Sequence, residues 1–292
     1  MAGKSETKMN LKEFLKTELS KKELEVLPRA FDIIGNIAVI DIPKKLKKKE
    51  KIIAAALMKE HKNIKTVLKK AGRIKGRLRT RKLQWILGEK TKETIHHENG
   101  CKIKLNVETC YFSPRMANDR LEVAKQVKNG EIVLVMFAGV APYPVVIAKN
   151  SKAKKIYSVE LSRIASKYAL ENVKLNKLSN VEIIQGNVRT VLPILRKKGL
   201  RFDRIMMARA QLNDDFIDSA LQVSKAGTVI NFHDFLFEKE IPEAALKKIS
   251  DAVEKFSKKK GRRIESYRMI RWKKAGEIGP RKYRIRVDFV LI

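Results

Sequence analysis

Ile132-Val133-Leu134-Val135-Met136-Phe137 is an unbroken apolar run, and it stops at Ala138-Gly139-Val140-Ala141-Pro142. Because nothing in it alternates, the strand it predicts is covered on both faces, as in a parallel sheet between two helix layers. The Gly/Pro turn leads into an apolar helix, and Lys155-Ile156-Tyr157-Ser158-Val159-Glu160 reads as the next strand. A helix through Ala165 to Leu175 follows, with strands at Val181 to Ile184, Arg204 to Met207 and Thr228 to Phe232. This alternation predicts an α/β fold with a doubly wound, mostly parallel, Rossmann-like sheet. The stretch Tyr283 to Val290 alternates polar and apolar residues, as an antiparallel strand added at the sheet's edge would.

Upstream the pattern differs. Residues 11 to 28 place Leu11, Phe14, Leu15, Leu19, Leu24 and Leu27 at helical spacing, closed by Pro28. Phe31 to Pro43 reads as two short strands about a Gly35-Asn36 turn, and Ile52, Ile53, Ala56 and Leu57 mark an Ala-rich helix. A strand is expected at Ile64 to Leu68. The run Lys69 to Lys82 then carries Arg73, Lys75, Arg77, Arg79 and Arg81 with Gly72 and Gly76. Cations neutralise phosphates and glycines let the backbone approach them, so the run reads as RNA-facing, with an exposed connecting loop as the plainer alternative. A small α+β domain over 1–105 and an α/β domain over 106–292 are expected.

The 292 residues hold 65 Lys and Arg against 32 Asp and Glu, a net charge of +33, with 44% hydrophobic residues. A chain this apolar can bury a core, which excludes a disordered basic tail. The charge points to a polyanion, a nucleic acid or an anionic membrane. No apolar run is long enough to span a bilayer and no secretory signal opens the chain. Two cysteines, Cys101 and Cys110, make no disulfide framework, and four histidines show no metal-ligand spacing. A reduced, cytoplasmic protein without metal is expected.

In an open parallel sheet, ligands sit beyond the carboxyl ends of the strands where the strand order reverses. The turn at Gly139 follows the first strand, Glu160 ends the second, and Asn187 follows the third. A carboxylate at Glu160 can accept both hydroxyls of a ribose, and an Asx side chain at Asn187 can meet an adenine edge.

Tyr111-Phe112-Ser113-Pro114-Arg115, Asp119-Arg120, Met136 to Val140 and Asn172 to Lys177 resemble the archaeal and eukaryotic type tRNA (guanine-37 N1)-methyltransferases. Phe31 to Gly35 and Glu93 to Cys101 are similar to the same family in its order. The resemblance implies a class I methyltransferase sheet, S-adenosyl-L-methionine as cofactor, tRNA as partner and methylation at N1 of the guanosine 3′ of the anticodon. N1 is protonated at neutral pH, so the reaction needs a proton acceptor and a cation for the charge that develops on the guanine oxygen. By resemblance Asp119 is the acceptor and Arg79 the cation. Tyr111, Arg120, Phe137, Gly139, Pro142, Glu160, Leu161, Asn187 and Val188 would line the cofactor, and a monomer is expected.

The chain departs from the family pattern at Val135, Ala141 and Asn187, and at Ala208-Arg209-Ala210, where the family has Asn-Leu-Pro. Two alternatives stay open: transfer of a 3-amino-3-carboxypropyl group from the same cofactor in wybutosine formation, or a catalytically degenerate tRNA-binding homologue.

Overall fold

Where the spacing predicts one helix, the chain makes two short ones, Leu11–Phe14 (α1) and Lys21–Glu25 (α2). Ser20 interrupts them: its hydroxyl accepts from the Glu23 amide while the Glu23 carboxylate accepts from the Ser20 amide at 2.9 Å, a capping box that starts a new helix. The periodic leucines Leu11, Leu15, Leu19 and Leu27 are buried together all the same. This is a computed structural model, and it describes residues 11–28, 30–72, 76, 78, 80–208, 214–258 and 264–292.

Two units divide the chain: residues up to His96 with 104–114, and residues 97–103 with 115–292. In the first unit, Asp32–Ile34 (β1) and Ile37–Ile40 (β2) form the expected hairpin. Glu50–Glu60 (α3) crosses over to Thr66–Lys70 (β3), which lies parallel to β2, and Leu83–Gly88 (β4) completes a four-stranded sheet. Leu15, Ile40, Leu46, Ile53, Leu57 and Val67 form its core. Glu93–Glu98 (β5) and Cys101–Asn106 (β6) pair as a separate two-stranded sheet through which the division between the units runs. Of the basic run, Arg73, Lys75, Arg77 and Arg79 lie outside the described residues.

The β1–β2 turn is pinned from β5, since Gly35 donates its amide to His96 Nδ1 at 3.2 Å and Asn36 to Thr94 Oγ1 at 3.1 Å. Gly35 has φ +56°, and a Cβ there would run into Thr94 Oγ1 and stand 2.5 Å from the Ile95 carbonyl oxygen. Gly35→Ala should therefore destabilise the first unit by about 2 kcal/mol or more, from left-handed strain plus the clash, which chemical denaturation will measure.

The second unit opens with Ala117–Gln126 (α4). It continues as Ile132–Met136 (β7), Pro142–Asn150 (α5), Lys155–Glu160 (β8), Arg163–Leu175 (α6), Val181–Gln185 (β9) and Val188–Lys197 (α7). Arg204–Met207 (β10), Ile217–Gln222 (α8), Val229–Phe237 (β11), Glu243–Ser257 (α9), Tyr267–Gly279 (β12) and Lys282–Leu291 (β13) follow. The sheet order is β12-β13-β11-β10-β7-β8-β9, parallel from β7 through β11. One core holds residues of α4, α5 and α6 and the other residues of α7, α8 and α9, which is the doubly wound arrangement with a helix layer on each face.

One strand expectation is corrected. β13 is antiparallel as expected, but it is not at the edge, because β12 lies outside it. Its polar positions do not face water either: Arg286 and Asp288 are 0% and 1% exposed. Alternation reports a strand with two unlike faces, and here the polar face is covered by a charge network.

Candidate functional site

The strand order reverses beside β7, between β8 on one side and β10 on the other, so the crevice lies past the carboxyl end of β7. The chain there alternates through left-handed backbone: Phe137, Gly139 and Ala141 have φ of 59°, 58° and 64°. Gly139 takes this conformation freely. Phe137 and Ala141 carry a Cβ, at a cost of about 1–2 kcal/mol each, and such strain persists where the surroundings enforce it.

The surroundings do so here. Ala138 donates its amide to the Val159 carbonyl at 3.1 Å and Ala141 its amide to the Ala138 carbonyl at 2.9 Å. Asn172, fully buried on α6, donates its side-chain amide to the Val140 carbonyl at 2.9 Å. Glu160 accepts from the Gly139 amide at 2.8 Å through one carboxylate oxygen and from the Ser162 amide at 2.7 Å through the other. Leu161 beside it is exposed. Asn187 caps α7, its side-chain oxygen accepting from the Arg189 amide at 3.0 Å, and Val188 is buried behind it. Phe137 meets the Phe216 ring edge-on at 5.1 Å, and Pro142 opens α5.

The ends of β7, β8 and β9 thus bring Phe137, Gly139, Pro142, Glu160, Leu161, Asn187 and Val188 to one rim. The donor and acceptor set suits an adenosine: a half-buried carboxylate for the ribose, a backbone loop free of side-chain bulk at Gly139, and an amide side chain at the third strand. Tyr111 belongs to the first unit, where its side chain is exposed, and Arg79, Arg209 and Ala210 lie outside the described residues.

Asp119 and Arg120 sit in the first turn of α4 and are both buried. Arg120 forms a two-pronged ion pair with Glu98 and lies over the Tyr143 ring at 5.9 Å. Asp119 accepts from Arg286 Nη1 at 2.5 Å through Oδ1, and from the Tyr143 hydroxyl at 2.5 Å and His233 Nε2 at 3.0 Å through Oδ2. His233 turns its other nitrogen to the Met207 carbonyl at 3.3 Å. Both ring nitrogens of His233 thus face oxygens, one on Asp119 and one on Met207.

Burial alone would raise the Asp119 carboxyl, but the charge and hydrogen bond of His233, then Arg286 and Tyr143, outweigh it and hold it well below the usual carboxylate range. Tyr143 is driven the other way, its phenol raised by burial and by the Asp119 charge.

The network extends away from the crevice. Asp288 accepts from Arg286 and Arg271, each at 2.9 Å, and from Asn231 at 2.6 Å. Arg204, also buried, pairs with Glu131 at 2.8 Å. Tyr143, His233, Arg286 and Asp288 are the residues that sequence reasoning missed, and Asn172 stood in a segment of the resemblance without being given a role. The one signal for two of them was the alternation in β13, which reads the same for a solvated face as for a buried charged one.

Among the described residues, no helix is long and apolar enough to cross a membrane, and no cluster of His, Cys, Asp and Glu is arranged to hold a metal.

Comparison with known proteins adds the following. Residues 94–261 match the model of the TRM5/TYW2 methyltransferase domain and residues 11–91 that of the TYW2 N-terminal domain. The tRNA (guanine(37)-N(1))-methyltransferase Trm5b of Pyrococcus abyssi is 40% identical, over 90% of this chain and 75% of its own. A complex of aTrm5 with tRNALeu superposes with a TM-score of 0.81 at 27% identity, over 98% of this chain and 79% of that one. Pyrococcus horikoshii TYW2 in complex with MeSAdo does so with a TM-score of 0.77 at 25% identity, over 98% and 99%.

Proposed function

Because the chain belongs to the TRM5/TYW2 methyltransferase family, we propose that it transfers a methyl group from S-adenosylmethionine to N1 of guanosine-37 in tRNA. The observation that carries this is the rim at the ends of β7, β8 and β9, where the left-handed loop, Glu160 and Asn187 offer what an adenosine needs. S-adenosylmethionine, when bound, supplies the activated methyl. The chain's residues bind and orient it, and manage a proton at the guanine.

Glu160 holds the ribose in this reading, exchanging its hold on the Gly139 and Ser162 amides for, or sharing it with, two hydroxyls. Charged hydrogen bonds of this kind contribute about 1.5–3 kcal/mol, so Glu160→Ala should weaken S-adenosylmethionine binding by about ten- to a hundredfold in a calorimetric titration.

Oδ2 of Asp119 already accepts two hydrogen bonds, so for it to take the N1 proton one of those two donors has to leave. His233 is buried and held from its other side by the Met207 carbonyl, whereas the Tyr143 hydroxyl is a neutral group whose ring stands at the start of α5. We therefore assign Tyr143 as the donor that substrate displaces. Arg79 as the stabilising cation rests on the resemblance alone.

The +33 charge and the aTrm5–tRNA complex support tRNA as the partner, and a monomer working in the cytoplasm is the setting proposed for it. The test is transfer of labelled methyl to a transcript bearing G37, with mass analysis of the nucleoside. Incorporation at N1 is expected, and none above a heat-killed control would overturn the reading. A second reading, aminocarboxypropyl transfer, is favoured by the TYW2-type N-terminal match and by Ala208 where the family has Asn. The same mass measurement separates the two groups directly.

A further inference from the structure

Five of the six residues in the 3₁₀ helix Lys44–Lys49, which leads into α3, are lysines. A 3₁₀ helix has three residues per turn, so side chains three apart line up in ridges: Lys44 with Lys47, Lys45 with Lys48, and Leu46 with Lys49. The third ridge faces the protein. Leu46 is fully buried in the core of the first unit, and Lys49 donates its Nζ to the Glu18 carbonyl at 3.0 Å. The other two ridges are thereby held outward, and Lys44, Lys45, Lys47 and Lys48 are all exposed. Along each ridge the two lysines stand about 6 Å apart on the helix axis.

These four ammonium groups have no counter-ion. Among the described residues none of them makes an ion pair or a hydrogen bond, and nor does Lys51, exposed in the first turn of α3. Other lysines of the same unit are matched, Lys69 with Glu50 at 2.5 Å and Lys92 with Glu108 at 2.7 Å. Glu50, the acid nearest the helix in sequence, is thus already engaged.

The placement opposes folding. Neighbouring like charges repel, and cations ahead of a helix and in its first turn stand at the positive end of its dipole. A polyanion supplies the missing counter-charge. The helix carries no aromatic ring on which a base could stack, so its match is to phosphates and not to bases.

We infer that the 3₁₀ helix Lys44–Lys49 is a phosphate-contacting surface: Lys44, Lys45, Lys47 and Lys48 hold the sugar-phosphate backbone of the bound tRNA without reading its sequence. The inference rests on the tRNA reading above and deepens it by assigning a surface in the first unit.

The experiment titrates the whole protein with tRNA transcripts between about 0.1 and 1 M salt. Wild type is compared with the quadruple variant Lys44→Gln/Lys45→Gln/Lys47→Gln/Lys48→Gln. A control, Lys197→Gln/Lys198→Gln/Lys247→Gln/Lys255→Gln, removes as many exposed lysines from the second unit, where they likewise pair with no described residue. Loss of about two phosphate contacts predicts a salt slope flatter by about two units, hence affinity about a hundredfold lower at 0.1 M salt and equal to wild type near 1 M. The control should stay within about threefold, because screening confines each charge to its surroundings. In the quadruple variant, melting temperature and S-adenosylmethionine binding should not fall, and KM for tRNA should rise while kcat stays within about twofold.

A quadruple variant indistinguishable from wild type, or a control with the same loss, overturns the surface and leaves the tRNA reading standing. A lowered melting temperature would make the lysines part of the fold and overturn it likewise. Loss of binding to phosphatidylserine vesicles, with tRNA affinity intact, would make the partner a membrane surface and overturn the inference. Absence of tRNA binding by wild type overturns this inference and the tRNA reading together.

Discussion

Asp119→Asn should slow methyl transfer by about a hundred- to ten-thousandfold, the range by which a positioned proton acceptor accelerates a reaction. Asparagine keeps the size of the side chain and can still accept one hydrogen bond through its oxygen. It can neither take the N1 proton nor balance Arg286, which points a guanidinium at the same carboxylate from 2.5 Å. Some stability will be lost with the charge, so the rate has to be read per folded molecule, with circular dichroism on the same samples.

Tyr143→Phe is the informative companion. It removes the neutral donor that substrate is proposed to displace, and turnover should stay within about threefold of wild type. Loss of that hydrogen bond lets the Asp119 carboxyl rise toward its usual range, so the acid limb of the rate profile should move to higher pH. Wild-type rates from Asp119→Asn, after correction for the folded fraction, would show that the residue only braces α4 and that the acceptor lies elsewhere.

Arg286→Met should cost about 3–5 kcal/mol of stability. The guanidinium is 0% exposed and holds Asp119, Asp288 at 2.9 Å and Glu122 at 3.3 Å, so its removal leaves two buried carboxylates short of a counter-ion. For a unit of this size the melting temperature should fall by about 2–4 °C per kcal/mol. Adding Asp288→Asn should restore part of the loss, because contacting residues in one network do not act additively.

The same network sets an acid limit. Burial opposes ionisation of Asp119 and Asp288, yet His233 and Arg286 respectively reverse that and hold both carboxyls below their usual range. A carboxyl lowered in this way contributes its stability in full above about pH 5, and that contribution is lost as pH falls below the unfolded value of about 3.9. Acid unfolding followed by far-ultraviolet dichroism should therefore be shallower in Arg286→Met, where the shift is smaller. An equally steep transition would place the acid sensitivity outside this network.

The parallel strands were legible because burial on both faces leaves no alternation to misread, and β7, β8, β9 and β10 stand within a residue of where the apolar runs put them. Glu160 and Asn187 were legible from strand ends alone, since topology places those ends together. β12 was not, because its side chains are mostly exposed on both faces and present no period. The Asp119 environment was the least visible. Tyr143, His233 and Arg286 come from α5, β11 and β13, and only the assembled sheet brings them to one carboxylate. A buried arginine flanked by Ile285 and Val287 carries the same local pattern as a solvated one.

The place of β13 has a consequence for the order in which the molecule is made. It lies between β11 and β12 although it follows both in the chain, so β12 has no neighbour to register against until residues 282–291 arrive. Until residues 282–291 are in place, β11 has one side open and Asp119 lacks its arginine. Folding of the second unit is then decided by a late, long-range insertion, the kind of step that slows folding and leaves strand edges open meanwhile.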